Sequence, residues 1–168
     1  MQIRRLNEDD AAGYRELRLR ALREHPEAFR SGYEEEALKS ADWAAQRLSG
    51  TDGFFFGAFD DDGALIGAVG LELESRQKLR HQGKVIGMYV KRERAGRGVG
   101  RALLEACIDS ARRIDGLESL VLTVTSGNEY ALRLYRSAGF AECGRQPRAL
   151  KIDGRYYDKT VMFLDLLR

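Results

Sequence analysis

The chain has 168 residues, 43% hydrophobic and 32% charged, which suits one soluble globular domain with a sizeable core. Its 28 basic and 26 acidic side chains give a formal charge of +2, and that near-balance excludes nucleic acid as an electrostatically driven main partner. No apolar run is long enough to cross a bilayer, which argues against a membrane role.

The opening QIRRL reads as a short strand, and Asn7 then stands where a helix cap belongs, with Glu8, Asp9 and Asp10 in the first turn. Tyr14, Leu17, Ala21 and Leu22 recur at helical spacing, so a first helix runs to about His25, where Pro26 ends it. The acidic run YEEEALKS (33–40) reads as one solvated helix face, or as a surface attracting a cationic amine. Ser40 caps a second helix that carries Trp43, Ala44 and Leu48. FFFGAF (54–59), DDDG (60–63) and ALIGAVGLELE (64–74) form a strand, turn and strand. A polar loop (75–83) leads to a short apolar strand, KVIGMYV (84–90), in which Gly87 marks a bulge or a close approach.

Gly96, Gly98 and Gly100 follow within five positions and open a helix whose apolar face holds Leu103, Leu104, Cys107, Ile108, Ala111 and Ile114. SLVLTV (119–124) is a buried strand, and residues 128–139 form a helix that stops with Gly139 at C′. Two final strands meet at Asp153-Gly154, a favoured hairpin pair. The order is strand, helices, three strands, helix, strand, helix, two strands. A mixed α/β (α+β) layer follows, with a mostly antiparallel sheet of six to seven strands flanked by helices, in a single domain over residues 1–168.

Strand, glycine loop and helix together make an anion site, because the first helical N–H groups lack partners and glycine lets them approach phosphate oxygens. A tight turn with solvated arginines is the plainer alternative. GxGxxG fails because Arg101 occupies its third glycine position, and no GxxxxGK[ST] is present. Two cysteines, Cys107 and Cys143, and two histidines, His25 and His81, leave too few ligands for zinc, so no metal is expected. The cysteine count, with an amino terminus that lacks a signal-peptide core, points to a reduced, cytoplasmic setting.

VIGMYVKRERAGRGVGRALLEACI (85–108) resembles the acyl-CoA-binding core of the GNAT N-acetyltransferases. NEYALRLYRSAGF (128–140) is similar to a second stretch of that family, matching at Asn128, Ala131, Leu134, Tyr135, Gly139 and Phe140. One departure is Ala95, where the family carries Arg or Gln.

The resemblance implies transfer of an acyl group, acetyl by default, from acetyl-CoA as co-substrate to the amine of a small molecule or peptide. It puts the backbone of Met88, Tyr89 and Val90 on the pantetheine arm and thioester. Gly96, Arg97, Gly98, Val99, Gly100 and Arg101 fall on the pyrophosphate, Asn128 on the pantetheine arm, and Tyr135 in the place of the general acid. An acyl-CoA sensor that acts through a protein partner is the rival reading. Family members are often dimers, and the sequence leaves oligomeric state open. A free amine has a pKa of about 10.4, so a base is also needed. Glu72 ranks first among Glu72, Glu74 and His81, and Tyr156 and Tyr157 are candidates for lining the acceptor pocket.

Overall fold

A computed structural model describes residues 1–167. Seven strands, β1 (Gln2–Arg5), β2 (Gly53–Phe59), β3 (Leu65–Leu73), β4 (Gln82–Val90), β5 (Ser119–Thr125), β6 (Ala141–Ile152) and β7 (Arg155–Asp165), form one sheet in the order β1-β2-β3-β4-β5-β7-β6. Every neighbouring pair is antiparallel except β4 and β5. The helices are α1 (Ala11–Glu24), α2 (Tyr33–Ala37), α3 (Ala41–Ser49), α4 (Val99–Ala111) and α5 (Glu129–Ser137).

The alternation of side chains along the strands gives the sheet two apolar faces, each covered by helices. On one face, Val99, Leu103, Leu104, Cys107, Ile108 and Ala111 of α4 and Leu132 and Tyr135 of α5 pack on Val69, Leu71, Val85, Leu120, Leu122 and Met162. On the other, Tyr14, Leu17 and Ala21 of α1 and Ala44 and Leu48 of α3 meet Phe55, Phe59, Ala68 and Tyr89.

Local chemistry sets most boundaries. The Asn7 side chain accepts from Asp9 N–H while Asp10 reaches back to Asn7 N–H, which closes a 3-10 turn that leads into α1. Asp153 and Gly154 both adopt positive φ, 47° and 80°, as a two-residue hairpin between β6 and β7 requires. Gly139 ends α5 at φ 96°, and Phe140 N–H donates back to Tyr135 O at 3.0 Å.

The acidic run forms the five-residue helix α2 and departs from expectation in one respect, because one of its carboxylates is buried. Glu36 is 3% exposed and takes two hydrogen bonds from the Arg18 guanidinium, at 2.8 and 3.0 Å. Burial alone would raise the Glu36 pKa, but the Arg18 pairing outweighs it and holds the carboxyl below its usual range.

Candidate active site

The parallel pair β4 and β5 is joined only over Gln82–Lys84 and Ser119–Val121. Beyond Lys84 the two strands diverge, which opens a slot between Val85–Val90 and the end of β5. A bulge lies on the opposite edge of β4, where Ala68 pairs with Tyr89 but Gly70 with Ile86, so Gly87 and Met88 stand across from Val69 alone. Gly87 adopts φ +61°, as a bulge at that position requires.

The direction of the backbone groups follows from one hydrogen bond. Lys91 N–H donates to Ile66 O at 2.9 Å, toward β3. Alternation along the strand then turns the Tyr89 N–H toward β3 and the Val90 N–H into the slot. An unpartnered strand edge of this kind suits an extended amide-bearing chain such as pantetheine.

At the mouth of the slot the glycines do two different jobs. Gly96 and Gly98 hold φ of +74° and +77°, and a Cβ at either would meet no protein atom within 4 Å. The space around both is open. Gly98 is the N-cap of α4 and offers no capping side chain, so the N–H groups of Val99, Gly100 and Arg101 point free of the helix. Gly100 serves packing instead, since a Cβ there would come within 3.4 Å of Leu134 and 3.8 Å of Val90.

The basic residues of the loop are sorted by their partners. Arg94 donates to Asp60 at 2.8 Å, and Arg101 to Glu105 at 2.7 Å. Arg97 is exposed and has no ion pair among the described residues, which leaves its guanidinium available for a phosphate. Ala95 is exposed beside it.

Across the slot, the Asn128 side chain caps α5 by accepting from Ala131 N–H at 3.1 Å, and its amide nitrogen has no partner among the described residues. Tyr135 lies on the same helix, 7% exposed, with its ring edge-on to Phe140 at 6.0 Å. Its hydroxyl makes no side-chain hydrogen bond among the described residues and is not fully sealed from solvent. Burial pushes its pKa well above the usual phenol value, so the hydroxyl stays protonated.

Not all of the expected residues converge. Glu72 pairs in register with Lys84, at the closed end of the slot, and its carboxylate lies 3.5 Å from Lys84 Nζ on the surface. It sits four residues along β3 from Ala68, the partner of Tyr89, or roughly 13 Å away. The Glu74 carboxylate is taken by Arg76, which pulls its pKa down to about 2. His81 precedes β4 and lies at that same closed end.

The open end is spanned instead by a segment that sequence reading passed over. The Tyr89 hydroxyl donates to Glu24 Oε2 at 2.7 Å, and the His25 ring lies 6.2 Å from the Tyr89 ring. Within the 3-10 turn Pro26–Ala28, Glu27 O accepts a hydrogen bond from the hydroxyl of Thr125, at the end of β5, at 2.7 Å. Lys159 of β7, only 2% exposed, donates to Glu27 O, Ala28 O and Thr125 Oγ1 at 2.9, 3.2 and 2.9 Å. Residues 24–28 therefore bridge from β4 to β5 and β7 across the mouth.

Burial pushes the Lys159 ammonium down to about 8, with Arg30 adding to the effect. Its folded pKa lies below its unfolded value of about 10.4, so the charged form destabilises the fold, and that penalty is relieved as pH rises from about 8 to about 10. Relative to Lys159→Met, the wild type should gain up to ~3 kcal/mol across that window, read as a widening gap in Tm.

Among the described residues, no helix is long and apolar enough to cross a membrane, and no three His, Cys, Asp or Glu side chains gather to hold a metal ion.

The comparisons with known proteins point the same way. An L-methionine sulfoximine/L-methionine sulfone acetyltransferase of Pseudomonas paraeruginosa is 38% identical over 79 residues, 47% of this chain and 45% of that protein. The L-amino acid N-acyltransferase MnaT of Escherichia coli is 37% identical over a stretch of the same length. The matched stretch thus spans about half the length of these curated relatives. Among solved structures, the protein yncA of Salmonella typhimurium, determined with its cofactor acetyl-CoA, superposes with a TM-score of 0.82 at 28% identity, covering 99% of this chain and 94% of that one. An acetyltransferase of the GNAT family from Streptococcus pneumoniae gives 0.86 at 25%, covering 98% of both chains. Residues 16–140 match the sequence profile of the acetyltransferase (GNAT) family, and with the splayed strands and glycine cradle in place this chain belongs to that family.

Proposed function

We propose that this protein, as one acyl-CoA-binding domain over residues 1–168, transfers the acetyl group of acetyl-CoA to the primary amine of a small acceptor. The observation that carries the reading is the joint placement of an open strand edge at Val90, a glycine cradle at the start of α4 and an unpartnered Tyr135 hydroxyl on α5. The free N–H groups of residues 99–101 and the Arg97 guanidinium hold the pyrophosphate. Backbone groups of Met88 and Val90 hold the pantetheine arm, and an N–H aimed at the thioester oxygen stabilises the charge that develops there.

The amine attacks the thioester carbon, the C–S bond breaks, and the sulfur leaves with the bonding pair. Tyr135 supplies that sulfur with a proton. A phenol is a weaker acid than a thiol in water, yet the same dry slot that raises the Tyr135 pKa also raises that of the departing thiol, so the gap narrows. A free acid at this point favours catalysis over acyl-CoA sensing.

The acceptor we infer is a small amine that also bears a carboxylate. β6 and β7 run on past Lys159, the partner of Thr125, and so overhang the open end of the slot. This overhang carries Arg148 and Lys151, each 5.2 Å from the Tyr156 ring, and Arg155, 5.4 Å from the Tyr157 ring. Such a surface attracts a carboxylate and repels a polycation. The amino-acid acceptors named for the two bacterial relatives fit this chemistry.

Thiol release from acetyl-CoA, measured with L-methionine sulfone, other amino acids, spermidine and a peptide amine, tests the reading. Turnover is expected with the amino-acid amines and not with spermidine. Tight acetyl-CoA binding with no turnover on any amine would support the sensor instead. Binding of ATP without any CoA species would overturn both.

A further inference from the structure

We propose that His25 is the base that takes the proton from the acceptor amine. This inference rests on the acetyl-transfer reading above and adds the group that the reading lacks. His25 is the C-cap of α1, at φ −137° and ψ 61°, and helical geometry ends there because Pro26 follows. The ring is thereby turned off the helix and lies beside Tyr89, on the strand whose next residue aims its N–H into the slot. Its side chain is 51% exposed, so an acceptor or a bridging water reaches it. Glu27 Oε1 stands 3.8 Å from Nδ1, which leaves Nε2 as the nitrogen away from that carboxylate.

The surrounding contacts fix this placement. Thr125 and Lys159 hold the Glu27 and Ala28 carbonyls from β5 and β7. Glu24 is held from the other side by the Tyr89 hydroxyl and by Arg20, which also forks onto Glu93 at 2.7 and 2.8 Å. The turn carrying His25 is tied to both lips of the slot and to the 3-10 turn Arg92–Arg94 that leads to the glycine cradle. Glu93 and Glu24 are poor bases, since Arg20 pairing holds Glu93 down at about 2 and also lowers Glu24.

The protons balance as follows. An ammonium acceptor gives one proton to His25 Nε2, which passes it to solvent, and the neutral nitrogen attacks the thioester carbon. As the C–S bond breaks, Tyr135 gives its proton to the leaving sulfur, and the second proton, lost from the acylated nitrogen, passes through water to the tyrosinate oxygen, so the products are the amide, with one N–H, and free CoA thiol.

Two measurements test the assignment. With L-methionine sulfone as acceptor, His25→Ala should lose about 10²-fold in kcat, bind acetyl-CoA as the wild type does, and regain turnover when imidazole is added. A merely structural cap would not respond to imidazole. Carbethoxylation by diethylpyrocarbonate, mapped by mass spectrometry, is the readout independent of turnover. Acetyl-CoA with the sulfone should shield His25 and leave His81, at the closed end, equally reactive.

Unchanged kcat in His25→Ala, or equal labelling of His25 with and without ligands, overturns the inference while wild-type turnover stands. Wild-type protein inert toward every amine overturns the acetyl-transfer reading itself, and the inference falls with it.

Discussion

Replacing Tyr135 by phenylalanine should lower kcat about 10²-fold while leaving acetyl-CoA affinity unchanged. The substitution removes one oxygen from a ring that is already buried against Phe140, Leu132 and the α4 face. Because that oxygen has no side-chain partner among the described residues, no donor or acceptor in the protein is left stranded, and stability should hold. What is lost is the proton that the departing sulfur needs. An interaction used only as the C–S bond breaks affects kcat and kcat/KM alike and spares ground-state binding. The upward shift of the Tyr135 pKa adds a second signature. A phenol held above its usual range stays protonated through pH 10, so the wild-type kcat should show no alkaline decline from this group. Stopped kinetics with and without the hydroxyl, over pH 6 to about 10, read both effects. Equal activity in the phenylalanine variant would remove Tyr135 as the acid.

The two halves of the site were legible in the sequence to different degrees, and the difference is one of range. The glycine cradle, the α5 cap at Asn128 and the stop at Gly139 are local devices, in which a few consecutive residues need special φ values or a capping oxygen. Such needs leave their mark on composition. The succession of elements and the two hairpins were readable for a similar reason, since period-2 runs and turn pairs such as Asp153-Gly154 encode local pairing. The proposed acceptor side is assembled over long range: Glu24 and His25 at the end of α1, Thr125 from β5 and Lys159 from β7, in hydrogen bonds that span up to 132 residues. Lys159 reads as an ordinary strand lysine until β5 and the turn at 26–28 close over it. Glu72 was attractive as a carboxylate ending a strand beside the CoA strand, but antiparallel pairing sends the end of β3 toward Lys84 and away from Val90. A local sign of His25 was nonetheless present, in a histidine standing between the end of α1 and the proline that stops it. Proline keeps the residue before it out of helical geometry.

Gly98→Val is expected to weaken acetyl-CoA binding about 10²-fold, and a matched glycine elsewhere separates the two causes. Valine at φ +77° is strained whatever its surroundings, by roughly 1–2 kcal/mol, which lowers Tm by several degrees without touching a ligand. Gly116, between α4 and β5, has the same φ of +77° and the same empty space around an added Cβ. Gly116→Val should therefore show a similar fall in Tm with acetyl-CoA affinity intact. At Gly98 the branched side chain also projects into the approach to the N–H groups of Val99, Gly100 and Arg101. Each charge-assisted hydrogen bond lost there costs roughly 1.5–3 kcal/mol, or ten- to a hundredfold in affinity. Calorimetric titration of both variants with acetyl-CoA, set against their melting curves, isolates the cradle from the strain. Equal affinity in the two variants would move the pyrophosphate away from α4, and the open space at Gly98 would then be that of a plain strand-to-helix turn.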